Sequence, residues 1–139
     1  MTIRRANKIA KTVAEMMPSL YKRHRKKEDL GAAAADIERA IADLGFSYRR
    51  QEVFFLPEDK KEYGLAFVLL DYIIEDNVLL RTVKRPHNDP LEYRLLYTLM
   101  NLSSTKAAVR VNFGAPKVED AIIFCDINTA RMEMLPPDY

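Results

Sequence analysis

At 139 residues the chain is long enough for one domain burying roughly two-thirds of its unfolded surface, and too short for two. With 48% hydrophobic and 30% charged residues it has the make-up of a soluble globular protein, and no apolar run nears the ~20 residues that span a bilayer. One cysteine and two histidines at no ligand spacing exclude a disulfide framework and a structural zinc site.

Cys125 lies in the apolar run AIIFC and is expected to be a buried, inert thiol, in keeping with a reducing, cytoplasmic setting. The net charge of +2 conceals an asymmetry. Residues 1–27 hold nine basic side chains, Arg4, Arg5, Lys8, Lys11, Lys22, Arg23, Arg25, Lys26 and Lys27, against one acid, Glu15. The remainder is mildly acidic. A basic arm on an acidic body is the footprint of a partner that carries phosphates or an acidic surface.

In chain order, residues 3–17 space Ile3, Ala6, Ile9, Ala10, Val13, Met16 and Met17 as one face of a helix, with Arg4, Arg5, Lys8 and Lys11 on the other. Pro18 is expected to end or redirect it, leaving 21–27 as a basic connector with His24 an exposed neighbour of charges. The segment has few large apolar groups and no aromatic before Tyr21, which weighs against membrane insertion. A second helix is expected over about 29–44, with an apolar stripe of Leu30, Ala33, Ala34, Ile37, Ile41 and Leu44 and Gly45 as its C-terminal cap.

The period then shortens. Ser47–Leu56 reads as a strand and residues 57–61 as a charged loop. Tyr63–Ile74 and Val78–Lys84 form a hairpin around Glu75-Asp76-Asn77. If Ile74 pairs with Val78, Asp71 stands opposite Arg81. An acid in an apolar strand is costly unless it is paired or does chemistry. Asn88 or Asp89 can cap a third helix that starts at Pro90 and runs to about Asn101, with Leu91, Leu95, Leu96 and Leu99 inward. Ala107–Phe113 and Ala121–Ile127 are the last two strands, and MLPPDY an extended tail. Tyr63, Tyr72, Tyr93 and Tyr97 are spaced as packing between sheet and helix. The expected fold is α/β: a mixed central sheet of about five strands flanked by helices and preceded by a basic N-terminal helix.

Four stretches carry a resemblance: SYRRQEVFF (47–55), GLAFVLLDYIIEDNVLL (64–80), LEYRLLYTLM (91–100) and VRVNFGAPKVEDAI (109–122). Together they resemble the GxxExxY branch of the PD-(D/E)XK nuclease superfamily over about residues 45–127. The resemblance implies a restriction-endonuclease-like core, with 1–28 a basic arm and 29–139 a single nuclease-like domain. It also implies a degenerate site. Asp71 falls on the family's metal-binding aspartate, but Arg81 stands at its glutamate, Val83 at its catalytic lysine and Arg94 at its helix glutamine. The signature in GAAAADIERAIADLG is not recoverable.

Magnesium needs oxygen ligands, usually including more than one carboxylate for phosphodiester cleavage. A guanidinium opposite Asp71 is expected to neutralise it and repel a divalent ion. The expectation is therefore an inactive module, without cofactor, that serves in nucleic-acid binding or in assembly, with nucleic acid the favoured partner. Residues 4–27 and a cationic face of Arg81 and Arg94, with Arg49 or Arg50 nearby, would make the contact. Two alternatives stand beside it. One is an active magnesium nuclease with a displaced motif of Asp71, Glu75 and Lys84. The other is a structural subunit of a larger protein complex, docked through the N-terminal helix.

Overall fold

The computed structural model describes residues 1–26, 31–55, 67–86 and 92–133. The expected 57–61 loop, the first residues of the hairpin from Tyr63, Lys27, Leu30, the caps at 88–90 and the MLPPDY tail lie outside them. Two helices, α1 (Ile3–His24) and α2 (Gly31–Asp43), precede three strands, β1 (Tyr48–Phe55), β2 (Phe67–Ile74) and β3 (Val78–Val83). Then come α3 (Glu92–Ser103), β4 (Ala107–Asn112), a one-turn α4 (Val118–Ala121), β5 (Ile122–Asp126) and α5 (Ile127–Glu133). The strands form one mixed sheet in sequence order; only β3 and β4 are parallel, joined across α3, and the other pairs are antiparallel.

Alternation along the strands divides the core into two layers. Tyr72, Ile74, Val78, Leu80, Ala107, Val109 and Val111 face α1 and α2. Ile73, Leu79, Ala108 and Cys125 face α3 and α5, against Leu95, Leu96, Leu99, Met100 and Ala130. The basic helix is thus a layer of the core: its buried side chains, Ala6 to His24, pack on β4 and β5.

Proline does not stop α1, which continues through Pro18 to His24. An interior proline costs a helix roughly 3 kcal/mol. Beyond it, Leu20 and Tyr21 are both buried, and burying a side chain of that size is worth about 1.5–3 kcal/mol, so packing wins. The expected connector at 21–27 is therefore helical at least to His24. Tyr21 Oη donates to the Ala115 carbonyl, and His24 is buried, its Nε2 2.7 Å from Asp36 Oδ2 of α2. The sequence pattern of an exposed His24 is corrected by these contacts: the helix turns that residue toward Asp36 and the edge of Phe113.

Gly45 ends α2 at φ +81°, with Phe46 N donating to Ile41 O and Gly45 N to Ala42 O. This is the double hydrogen bond of a Schellman cap, and Phe46 packs back on the core. Leu44, past the helix end, is exposed and leaves the stripe. The hairpin turn places Glu75 and Asp76 at positive φ, closed by Asn77 N to Ile74 O at 3.1 Å. Its register sets Ile74 against Val78 and Asp71 against Arg81.

The Asn112-Phe113-Gly114 turn has a packing reason. Asn112 Oδ1 accepts from Arg85 N at 2.9 Å and Gly114 N at 3.0 Å, tying the exit of β3 to the turn after β4. A Cβ on Gly114 would sit 2.4 Å from the Arg85 carbonyl oxygen, so only glycine fits. The two short helices were not evident in the sequence pattern. Asp126 Oδ1 accepts from Thr129 N at 2.8 Å and so caps α5.

Candidate nucleic-acid interface

The strand register builds a transverse row of polar positions: Gln51 opposite Asp71, Asp71 opposite Arg81, and Arg81 opposite Arg110. Glu92, the first residue of α3, closes over it. Asp71, Arg81, Glu92 and Arg110 are each 4% exposed or less. Arg81 is the hub. Its Nε lies 3.2 Å from Glu92 Oε1 and its Nη1 3.8 Å from Asp71 Oδ2. Arg110 Nε lies 3.7 Å from the same Glu92 oxygen, and its Nη1 donates to the Ala121 carbonyl.

Arg81 therefore stands beside Asp71 but gives its hydrogen bond to Glu92. The expected charge-assisted bond between Asp71 and Arg81 is replaced by a looser contact, because the first turn of α3 brings a closer carboxylate. Among the described residues no donor meets hydrogen-bond geometry at either Asp71 oxygen. Burial pushes its pKa up to about 7; Arg81 opposes the rise, Glu92 adds to it, and the neighbouring Thr82 amide offsets a little. Burial likewise lowers the pKa of Arg110, against the pull of Glu92. Glu92 and Arg110 are site residues the sequence reading passed over. Arginine in the buried run AAVRVN was the available signal; Glu92 had none beyond its place near a helix start.

Asp71, Glu75 and Lys84 do not gather. Glu75 sits in the turn, where its carboxylate accepts from Ser47 N and Ser47 Oγ. Lys84 is exposed and an odd number of residues from Arg81, so the pleat turns it to the other face. Among the described residues no group of three or more His, Cys, Asp or Glu side chains is placed to hold a metal ion.

The cations of α1 form a different feature, on the opposite side of the sheet. Arg4, Arg5, Lys8 and Lys11 line a groove of about 760 Å³ between the first half of α1 and the junction of β5 with α5. All four are exposed. Thr2, Asn7, Phe124, Cys125, Asp126 and Thr129 complete its lining. Phe124 is 41% exposed on the edge strand. Asp126 is held by Asn7 Nδ2 at 2.8 Å. Burial pushes its carboxyl up, but the Asn7 and Thr129 hydrogen bonds prevail and keep it below the ordinary range. Burial pushes the Cys125 thiol up to about 12, leaving it protonated and inert.

No family model, curated protein or solved structure matches the chain.

The structure divides the basic residues expected to act together. Along α1, Lys11 and Lys22 are about 16 Å apart at 1.5 Å per residue, so the run splits into two groups. In the second, Arg23 Nη1 pairs with Asp36 at 3.1 Å, and Arg25 donates to the Pro116 carbonyl from over the Tyr21 ring. Lys22 and Lys26 are exposed. Arg81 and Arg94 do not make a cationic face: Arg81 is 1% exposed beneath α3, while Arg94 is exposed on that helix. Both lie on the α3 side of the sheet, away from α1. Arg49 pairs with Asp76 at 3.5 Å and Arg50 with Glu38 at 2.5 Å, both on β1. No helix of the described residues is long and apolar enough to cross a membrane.

Proposed function

We propose that this chain is a nucleic-acid-binding module of nuclease-like build, a degenerate relative of the GxxExxY proteins, that holds a phosphate backbone without cutting it. One observation carries the reading: four exposed cations and an exposed phenylalanine line a single groove. Lysine and arginine on phosphates supply affinity through counterion release, whatever the base sequence. The apolar face of α1 is buried in its own sheet, which leaves the polar face to meet a partner.

The buried row supports a module that holds the backbone without cutting it. Arg81 fills the space beside Asp71 that a second metal-binding carboxylate would need, and Glu92 is engaged with both arginines. A divalent ion entering there would displace a guanidinium already paired with acids. The test is charge reversal in the groove. Lys8→Glu with Lys11→Glu should abolish binding of the intact protein to nucleic acid at moderate salt, whereas Lys22→Glu with Lys26→Glu should weaken it less. Equal loss from both pairs would remove the groove as the site.

A further inference from the structure

We infer that the groove between α1 and β5 takes single-stranded nucleic acid, with a base stacked on Phe124 and the phosphates running along Arg4, Arg5, Lys8 and Lys11. This deepens the proposed function and rests on it. The groove is chemically two-sided. Its α1 wall carries the four cations, while its β5–α5 wall carries an exposed aromatic ring and the ionised Asp126. Arg4, Lys8 and Lys11 follow one another at helical i, i+4, i+7 spacing and form a continuous stripe on α1.

A carboxylate repels phosphate, so Asp126 steers the backbone toward α1 and turns the bases toward Phe124. Asp126 is fixed in that place by the Asn7 side chain of α1 and by the Thr129 amide that starts α5. The aromatic ring selects for an unpaired strand. Within a duplex each base face is covered by its neighbour, whereas a single strand can offer a face to a ring, and such stacking tolerates any base. A volume of about 760 Å³ is the scale of a site for one small ligand, which suits a single strand rather than a double helix. Phe124 is otherwise hard to explain. It pairs in register with the buried Val109 yet stays 41% exposed at the sheet edge, where an apolar ring gains little from folding.

The test is fluorescence anisotropy of the full chain with labelled oligothymidylate, oligouridylate and a mixed-sequence duplex of equal length, at low and moderate salt. The inference requires both single strands to bind more tightly than the duplex. Phe124→Ala should lower single-strand affinity about tenfold, the effect of removing one stacking ring, and leave the duplex unchanged. Phe124→Tyr should retain wild-type binding, and Phe124→Leu, equally apolar but without a π-face, should not. Unaltered single-strand affinity in Phe124→Ala, with Lys8→Glu and Lys11→Glu still disruptive, would overturn the stacking inference and leave the nucleic-acid reading standing. If the wild type binds none of the three, the proposed function falls and this inference with it.

Discussion

Replacing Asp71 by asparagine keeps the shape of the side chain and removes its charge, which isolates the cost of an acid buried under α3. The carboxyl titrates at about 7 in the folded chain against an ordinary 3.8, because burial outweighs the attraction of Arg81. Between those values the folded chain holds a proton that the unfolded chain has released, so this group makes stability fall as pH rises through the window. Below 3.8 both states are protonated, and above 7 both are ionised. Three pH units at 1.36 kcal/mol each come to about 4 kcal/mol. The Asp71→Asn variant should therefore gain about 4 kcal/mol over wild type between acid and mildly alkaline pH. That is a urea midpoint difference of about 2 M for a slope of roughly 2 kcal/mol/M. Asp36, Glu38, Glu75 and Asp126 titrate below their ordinary values and push stability the other way. They are common to both proteins, so the difference between the two melts removes them. A gap that is constant with pH, or a variant most destabilised in alkali, would show that Arg81 more than offsets burial and would refute the reasoning.

Three further outcomes follow from the packing and the groove. Gly114→Ala should destabilise the chain by more than about 2 kcal/mol, since its Cβ meets the Arg85 backbone; an unchanged urea midpoint would mean that the β3 exit is not held against this turn. Pro18→Ala should stabilise it by about 1–3 kcal/mol, because α1 continues past that position; thermal melting reads the sign, and a loss would count against an unbroken helix. Lys8→Gln should weaken nucleic-acid binding and make the slope of log affinity against log salt shallower by about 0.7 for a single strand, measured by anisotropy across a salt series.

What was legible in the sequence is what local chemistry decides. A three-residue turn fixes hairpin register, so Asp71 opposite Arg81 could be read from spacing alone. Gly45 could be read because a helix end at positive φ wants glycine. The mixed sheet followed from the order of apolar runs. What was not legible depends on which distant element packs where. Pro18 signals a helix end locally, and only the packing of Leu20 and Tyr21 overrides it. His24 looked like one more member of a basic run until α2 brought Asp36 to it. Glu92 gained its role from a helix crossing above β3 and β4. The basic residues of α1 could be read as one charged run, but the sequence could not say that they divide into two groups, nor that Phe124 and Asp126, more than a hundred residues away, line the groove with the first of them.

The account rests on a cationic groove that binds without cleaving, and a salt-titrated binding assay with and without magnesium tests it most directly. With four cations engaged, log affinity for a single strand should fall against log salt with a slope of about −3, and the strand should be recovered intact whether or not magnesium is present. No binding even at low salt, or magnesium-dependent cleavage that Asp71→Ala abolishes, would contradict it.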